Sequence, residues 1–345
     1  MSPSAFVVML VMTFAQSPQG QTPPVPATPS PQQPAGAIPS DANVPDGLQV
    51  QVMLDRAGFS PGVIDGNAGR NTRKALDAYR KQNAENGSPA VEAVVKYQIT
   101  PEDAAGPFTA DIPTDMVEQS KLPALGYRSI VELLAERFHS TPALLQRLNP
   151  GAKFAAGEEI TVPNVEPLAL AAATPPPPEA AKKPQGAGTA PKPEGTSGKT
   201  VAAELAARPD VVVTVSKETS ALTVTDASGR MILYAPVTTG SERDPLPIGE
   251  WKVNGIQLNP PFRYNPDLFW DADPSHTKAT IPPGPNNPVG LVWIDISKEH
   301  YGIHGTPEPA TIGRTESHGC VRLTNWDAIK LAGLVKPGTK VVFTR

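Results

Sequence analysis

Hydrophobic positions fall into three blocks along the chain, separated by stretches without a period. In the first, Leu48 to Asn83, an apolar stretch leads into Ala57-Gly58-Phe59-Ser60-Pro61-Gly62 and an Asp65-Gly66 turn. Thr72, Ala75, Leu76 and Tyr79 follow at helical i, i+3, i+4, i+7 spacing. In the second, Tyr127 to Asn164, an amphipathic stretch from Ile130 to Phe138 precedes Ser140-Thr141-Pro142, where a hydroxyl caps a new helix with proline in its first turn. That helix carries Leu144, Leu145 and Leu148, ends at Asn149-Pro150-Gly151, and is followed by a short strand, Glu159 to Val162. The third block is mainly β. Val211 to Val215, Ala221 to Thr225 and Met231 to Thr238 are rich in β-branched residues, and Asp226-Ala227-Ser228-Gly229 connects the last two as a hairpin. Further strands are predicted at Gly249 to Gln257, Val289 to Ile296 and Lys340 to Thr344. One helix is signalled, with Thr324 as N-cap and Asp327 three residues on, through Ile329 to Leu331 and stopping near Gly333.

Composition sharpens these divisions. Of 345 residues 42 are proline, many in two clusters, so much of the chain is not packed core. From Gln16 to about Pro45, Pro, Gln, Ala and Ser predominate, and from about Ala171 to Lys199 Pro175-Pro176-Pro177-Pro178 and Lys-Pro pairs favour extended polyproline II. Ala5 to Ala15 reads as the apolar region and cleavage site of a secretory leader, although no Lys or Arg precedes Arg56. No cysteine lies nearby to take a lipid, so no membrane anchor is expected after cleavage. The expected segments are a signal peptide at 1–15, a disordered Pro-rich tether at 16–45, a small helical domain at 46–118, an α+β module at 119–165, an Ala/Pro-rich linker at 166–209 and a catalytic domain at 210–345. A net charge of -4 argues against a dedicated nucleic-acid binder.

The chemistry concentrates near the C-terminus. Cys320, the chain's one cysteine, sits in Ser317-His318-Gly319-Cys320-Val321-Arg322-Leu323, and His304 lies sixteen positions upstream. A lone thiol flanked by histidines in an exported chain points to a nucleophile, which needs an imidazole to take its proton at neutral pH. His304 and His318 are both within reach of that role. His318 stands two positions before Cys320, so in an extended segment both side chains share a face. Gly319 lets backbone approach a substrate carbonyl, which makes the N–H groups of Gly319 and Cys320 candidates for an oxyanion hole. Arg322 suits a substrate carboxylate. Making His304, His318 and Cys320 three ligands of a catalytic zinc is a competing reading, without a carboxylate at matching spacing. The long segment Pro260 to Pro288, rich in proline, asparagine and aromatics such as Phe262, Tyr264, Phe269 and Trp270, reads as a lid over the cleft or as a satellite core beneath a loop. His276 and His300 receive no role.

His304-Gly305-Thr306, ten intervening positions and Ser317-His318-Gly319-Cys320 resemble the signature of the L,D-transpeptidases of bacterial cell walls, with upstream markers at Leu246 to Trp251 and Gly284 to Gly290. The resemblance covers Asp210 to the C-terminus and implies a mainly-β sandwich or barrel-like catalytic fold. It makes Cys320 the nucleophile and His304 the base, oriented by a backbone carbonyl near Gly305. His318 supports, Gly319 lends its N–H, and Arg322, Gly305 and Ser317 meet substrate. It implies attack on the L-centre carbonyl of a tetrapeptide stem, release of the terminal D-residue and transfer of the acyl group to an amine to give a 3-3 cross-link. Protein attachment, D-amino-acid exchange and hydrolysis share the same thioester. Acylation by carbapenem-type β-lactams is implied as well. The first block is similar to the helical peptidoglycan-binding domain, with Arg80 where that family usually carries Gln. The second resembles a degenerate LysM repeat, a module for N-acetylglucosamine chains. These likenesses predict an exported monomer in the periplasm or cell wall, with stem peptides and glycan strands as partners and no cofactor or metal. A wall-binding scaffold without catalysis is the non-enzymatic alternative.

Overall fold

Alternation governs the β-rich region: Val211, Val213 and Val215 are all buried while their neighbours are half-buried, as one covered sheet face requires. The computed structural model describes residues 47–84, 89, 91–169 and 208–345. The expected leader, the tether and most of the linker lie outside the described residues.

Two helices open the chain, α1 (Leu48–Arg56) and α2 (Arg70–Gln82). Then come β1 (Val94–Gln98), the short α3 (Pro101–Ala105) and α4 (Met116–Gln119), α5 (Ile130–Arg137), α6 (Pro142–Leu148) and β2 (Glu159–Pro163). The Thr141 hydroxyl accepts the Leu144 N–H at 3.1 Å, capping α6 with Pro142 in its first turn. Asn149 ends α6 by bonding both the Thr161 N–H and its carbonyl, at 2.6 and 2.7 Å, which ties the helix to β2. Strands β1 and β2 pair antiparallel, Val94 opposite Pro163, joining segments that the sequence assigns to different modules.

The remaining elements are β3 (Val211–Ser216), β4 (Ala221–Asp226), β5 (Met231–Pro236), β6 (Gly249–Leu258), β7 (Phe262–Tyr264), β8 (Ala279–Ile281), β9 (Val292–Ile296), β10 (Gly302–His304), β11 (Val321–Arg322), α7 (Asn325–Leu334) and β12 (Lys340–Thr344). Eight strands form one mixed sheet in the order β11-β10-β9-β6-β12-β3-β4-β5, while β7 and β8 pair separately. Strand β6 serves both halves: Gly249 to Lys252 face β12, Val253 to Leu258 face β9, and a bulge between Val253 and Gly255 marks the change. Both halves share one core, from Val213 and Phe343 on one side to Ile303 and Val321 on the other, closed by Leu331 and Ala332 of α7. Thus β9 starts at Val292, three residues later than expected, because Val289 and Gly290 turn back on Asn287.

The described residues belong to one compact unit. Strand β5 lies at the sheet edge, and the first helical block covers it. Tyr234 donates to the Gly58 carbonyl and accepts from Ser60, both at 2.8 Å, while Gln82 bonds both backbone groups of Met231. Phe59 stacks on Tyr234 with ring centroids 6.4 Å apart. A buried polar cluster joins both N-terminal blocks to α7. Asp55 of α1 meets the His139 ring at 2.9 Å and Lys330 of α7 at 3.0 Å. His139 stacks on Trp326 at 5.2 Å, and Ser60 donates to Asp327 at 2.8 Å.

Burial pushes the Asp55 carboxyl up, but attraction and hydrogen bonds from His139 and Lys330 outweigh it and hold it well below 3.8. Its stabilising contribution is therefore complete above that unfolded value and disappears as pH falls through the lower folded one. Asp55→Asn is expected to lower unfolding free energy at pH 7 by about 2–4 kcal/mol, since it strands the buried His139 and releases the partly exposed Lys330. In denaturant titrations the gap from the parent protein should narrow below about pH 4.

Candidate active site

Strands β10 and β11 are only three and two residues long, and their parallel register sets Ile303 opposite Val321 and His304 opposite Arg322. Ile303 and Val321 are buried in the core, so alternation sends His304, Arg322 and the adjoining Cys320 to the opposite face. Cys320 precedes β11 beside Gly302, whose N–H bonds the sulfur, and the thiol donates to the His300 carbonyl at 3.8 Å. His300 has a left-handed backbone, φ 65°. The cysteine keeps part of its surface open. Burial raises the thiol, with the Gly302 N–H and the Arg322 charge opposing, so at neutral pH it rests protonated.

His304 is 4% exposed, and its Nδ1 meets the Gly305 carbonyl at 2.7 Å. A carbonyl only accepts, so Nδ1 carries the proton and Nε2 keeps its lone pair. Trp293, opposite His304 on β9, stacks on the ring with centroids 5.5 Å apart. Burial drives the imidazole down to about 3, Arg322 pushes the same way, and the Gly305 bond opposes. The ring is therefore neutral under physiological conditions.

The turn into the cysteine is held from inside. Ser317, expected to meet substrate, is 3% exposed and donates to the Cys320 carbonyl at 2.6 Å while accepting the Gly319 N–H at 3.2 Å. This commits the Gly319 N–H, while the Cys320 N–H has no hydrogen-bond partner among the described residues. Gly319 has φ 108°, and a Cβ there would come within 2.6 Å of the Tyr301 ring, so no other residue fits. Gly305 is enclosed too: a Cβ would meet Asn325 Oδ1 at 2.1 Å. Arg322, by contrast, makes no ion pair among the described residues, though it stands half-buried beside the thiol.

His318 does not share a face with Cys320, because 318–320 bend rather than extend. Its Nε2 meets Asp271 at 2.8 Å, and Phe269 and Trp270 flank the ring at 5.0 and 5.7 Å. The aromatic segment forms the satellite core that the sequence allowed. Its base is a satellite core of Tyr264, Ile281 and Leu125, and its tip reaches the cysteine turn. His276 fixes that base, bonded to Tyr264 at 2.9 Å and to Asp115 of the N-terminal region at 2.8 Å. Among the described residues no group of three or more His, Cys, Asp or Glu is arranged to hold a metal, and His318 turns to Asp271 rather than toward a shared ion. Trp293, Tyr301, Asp271, Asn325 and the His300 carbonyl complete the site. None carries a motif at a readable distance from Cys320.

A family model described as the L,D-transpeptidase catalytic domain, YkuD, matches residues 210–343. YkuD of Bacillus subtilis, named as an L,D-transpeptidase, is 31% identical over 135 residues, 39% of this chain and 65% of that protein. The chain thus spans just under two thirds of that relative. YqjB of Bacillus subtilis, named likewise, is 32% identical over 141 residues, 39% of this chain and 72% of its own. A solved L,D-transpeptidase from Mycobacterium smegmatis aligns at 18% identity with a TM-score of 0.33, over 40% of this chain and 59% of its own. With the identity to YqjB reaching across most of that protein, and the family model covering the strands that carry Cys320 and His304, the chain belongs to the YkuD family of L,D-transpeptidases.

Proposed function

We propose that this protein is an exported, cysteine-dependent peptidoglycan L,D-transpeptidase that forms 3-3 cross-links in the periplasm or cell wall. The observation that carries the reading is the meeting, on one sheet face, of the chain's one thiol, a neutral buried imidazole and a guanidinium that makes no ion pair among the described residues. Because thiol and imidazole both rest uncharged, proton transfer accompanies attack. Cys320 Sγ bonds to the L-centre carbonyl carbon of a tetrapeptide stem as its proton passes to His304 Nε2. The Cys320 N–H faces the developing oxyanion, and Arg322 takes a stem carboxylate. Collapse breaks the peptide bond, and the terminal D-amino acid leaves with the proton from His304. An amine of a second stem attacks the thioester, His304 accepts its proton, and the sulfur departs and recovers it. The two N-terminal blocks, similar to wall-binding modules, favour a wall-facing protein.

Incubation with disaccharide-tetrapeptide muropeptides and mass analysis should show loss of the terminal D-residue together with dimers. Monomeric tripeptides alone would make the acceptor water. Cys320→Ala should abolish both products, and His304→Ala should lower kcat by about 10²–10⁴-fold. Alkylation of Cys320 should keep accelerating as pH rises past the ordinary thiol value of 9.0, because the folded thiol lies above it. A plateau near neutrality would instead mark a preformed thiolate paired with imidazolium.

A further inference from the structure

His304 bonds the Gly305 carbonyl, and Gly305 is itself packed against the Asn325 side chain. The Asn325 side chain, at the start of α7, lies wedged against Gly290 and Gly305, where Cβ atoms would meet its Oδ1 at 2.0 and 2.1 Å. Asn325 Oδ1 accepts the Leu291 N–H at 3.0 Å, while its Nδ2 donates to Glu136 Oε1 at 2.7 Å and to the Pro285 carbonyl at 3.3 Å. Glu136 belongs to α5 in the second N-terminal block and is 8% exposed. A chain of contacts therefore runs from α5 by a hydrogen bond to Asn325, from Asn325 by close packing to Gly305, and from the Gly305 carbonyl to His304 Nδ1. Glycine at 290 and 305 is what lets the amide approach so closely.

We propose that Glu136 is a positioning residue for the reaction: by fixing the Asn325 amide it holds the Gly305 carbonyl where that group orients the His304 ring. The N-terminal block thereby becomes part of the catalytic apparatus rather than only a wall-binding attachment. This rests on His304 being the base. Amide rotation of Asn325 would cost it either the Leu291 or the Glu136 bond, and each flip would place a different atom against the glycines. A free amide would release the segment that carries the His304 acceptor. Burial pushes the Glu136 carboxyl up to about 8, the Asn325 bond opposing and Glu132 adding to it, so near neutrality the side chain is an uncharged acid. Glutamine is then its close counterpart, keeping an acceptor of the same reach.

The experiment compares Glu136→Gln with Glu136→Met, which keeps the length and removes the acceptor, and with Glu136→Asp, which withdraws it by one methylene. Each full-length variant is assayed with disaccharide-tetrapeptide muropeptides after its folded fraction is measured by thermal unfolding. Glu136→Gln should keep kcat within about twofold. Glu136→Met should lower kcat by about tenfold to a hundredfold, with KM nearly unchanged, as expected for a displaced catalytic group. Glu136→Asp should fall between them, and serves in its place if the methionine variant does not fold. Folded Glu136→Met or Glu136→Asp protein with the parent kcat would overturn the proposal, as would a glutamine variant no better than methionine. Activity surviving His304→Ala would instead sink the reading of the base, so the two failures are separable.

Discussion

Helix α7 joins the site to the rest of the molecule, through polar side chains taken out of water. Buried Asp55 and His139 meet the partly exposed Lys330 along one side, Ser60 and Thr324 both donate to Asp327 at the helix start, and Asn325 links Glu136 to the glycines behind His304. Such groups are costly to bury and are retained only when each finds its partner. All these partners come from different segments, so correct pairing requires the N-terminal blocks and the catalytic sheet to meet in one arrangement. The apolar core of the sheet could tolerate many small shifts. This polar junction tolerates few.

The site gains its chemistry from the same burial. An imidazole enclosed by Trp293 and facing Arg322 is kept uncharged, and the thiol on the other side of the Arg322 charge is kept protonated by its own burial. The Gly305 carbonyl selects the ring tautomer that leaves Nε2 free. The aromatic segment over the cysteine turn is anchored twice, by Asp115 through His276 at its base and by Asp271 on His318 at its tip. The N-terminal region thus bonds the base of the aromatic segment through Asp115 and the start of α7 through Glu136.

Much of this was readable from residue order. Valines at 211, 213 and 215 announced a half-covered strand, and Thr141-Pro142 and Thr324 announced helix starts through their caps. What the chain concealed was whatever depended on distant pairing. Strands β10 and β11, although they carry the site, are too short to show a period. The β1–β2 ladder joins residues some sixty positions apart, so the block boundary drawn from composition falls inside it. Asp271 and Asn325 look like ordinary loop and cap residues until the fold brings them to His318 and Gly305. The same-face placement of His318 and Cys320 assumed extended backbone, and the positive φ of Gly319 breaks it.

The central claim is that the N-terminal helices and the catalytic sheet are one cooperative body locked through α7. Native-state hydrogen exchange on the full chain tests it most directly, by comparing opening free energies in α1, α5 and α6 with those in α7, β9 and β12. The account predicts that the most protected amides of both sets open at a common free energy and shift together in Asp55→Asn. N-terminal helices that exchange at far lower free energy, leaving α7 and the sheet fully protected, would contradict it.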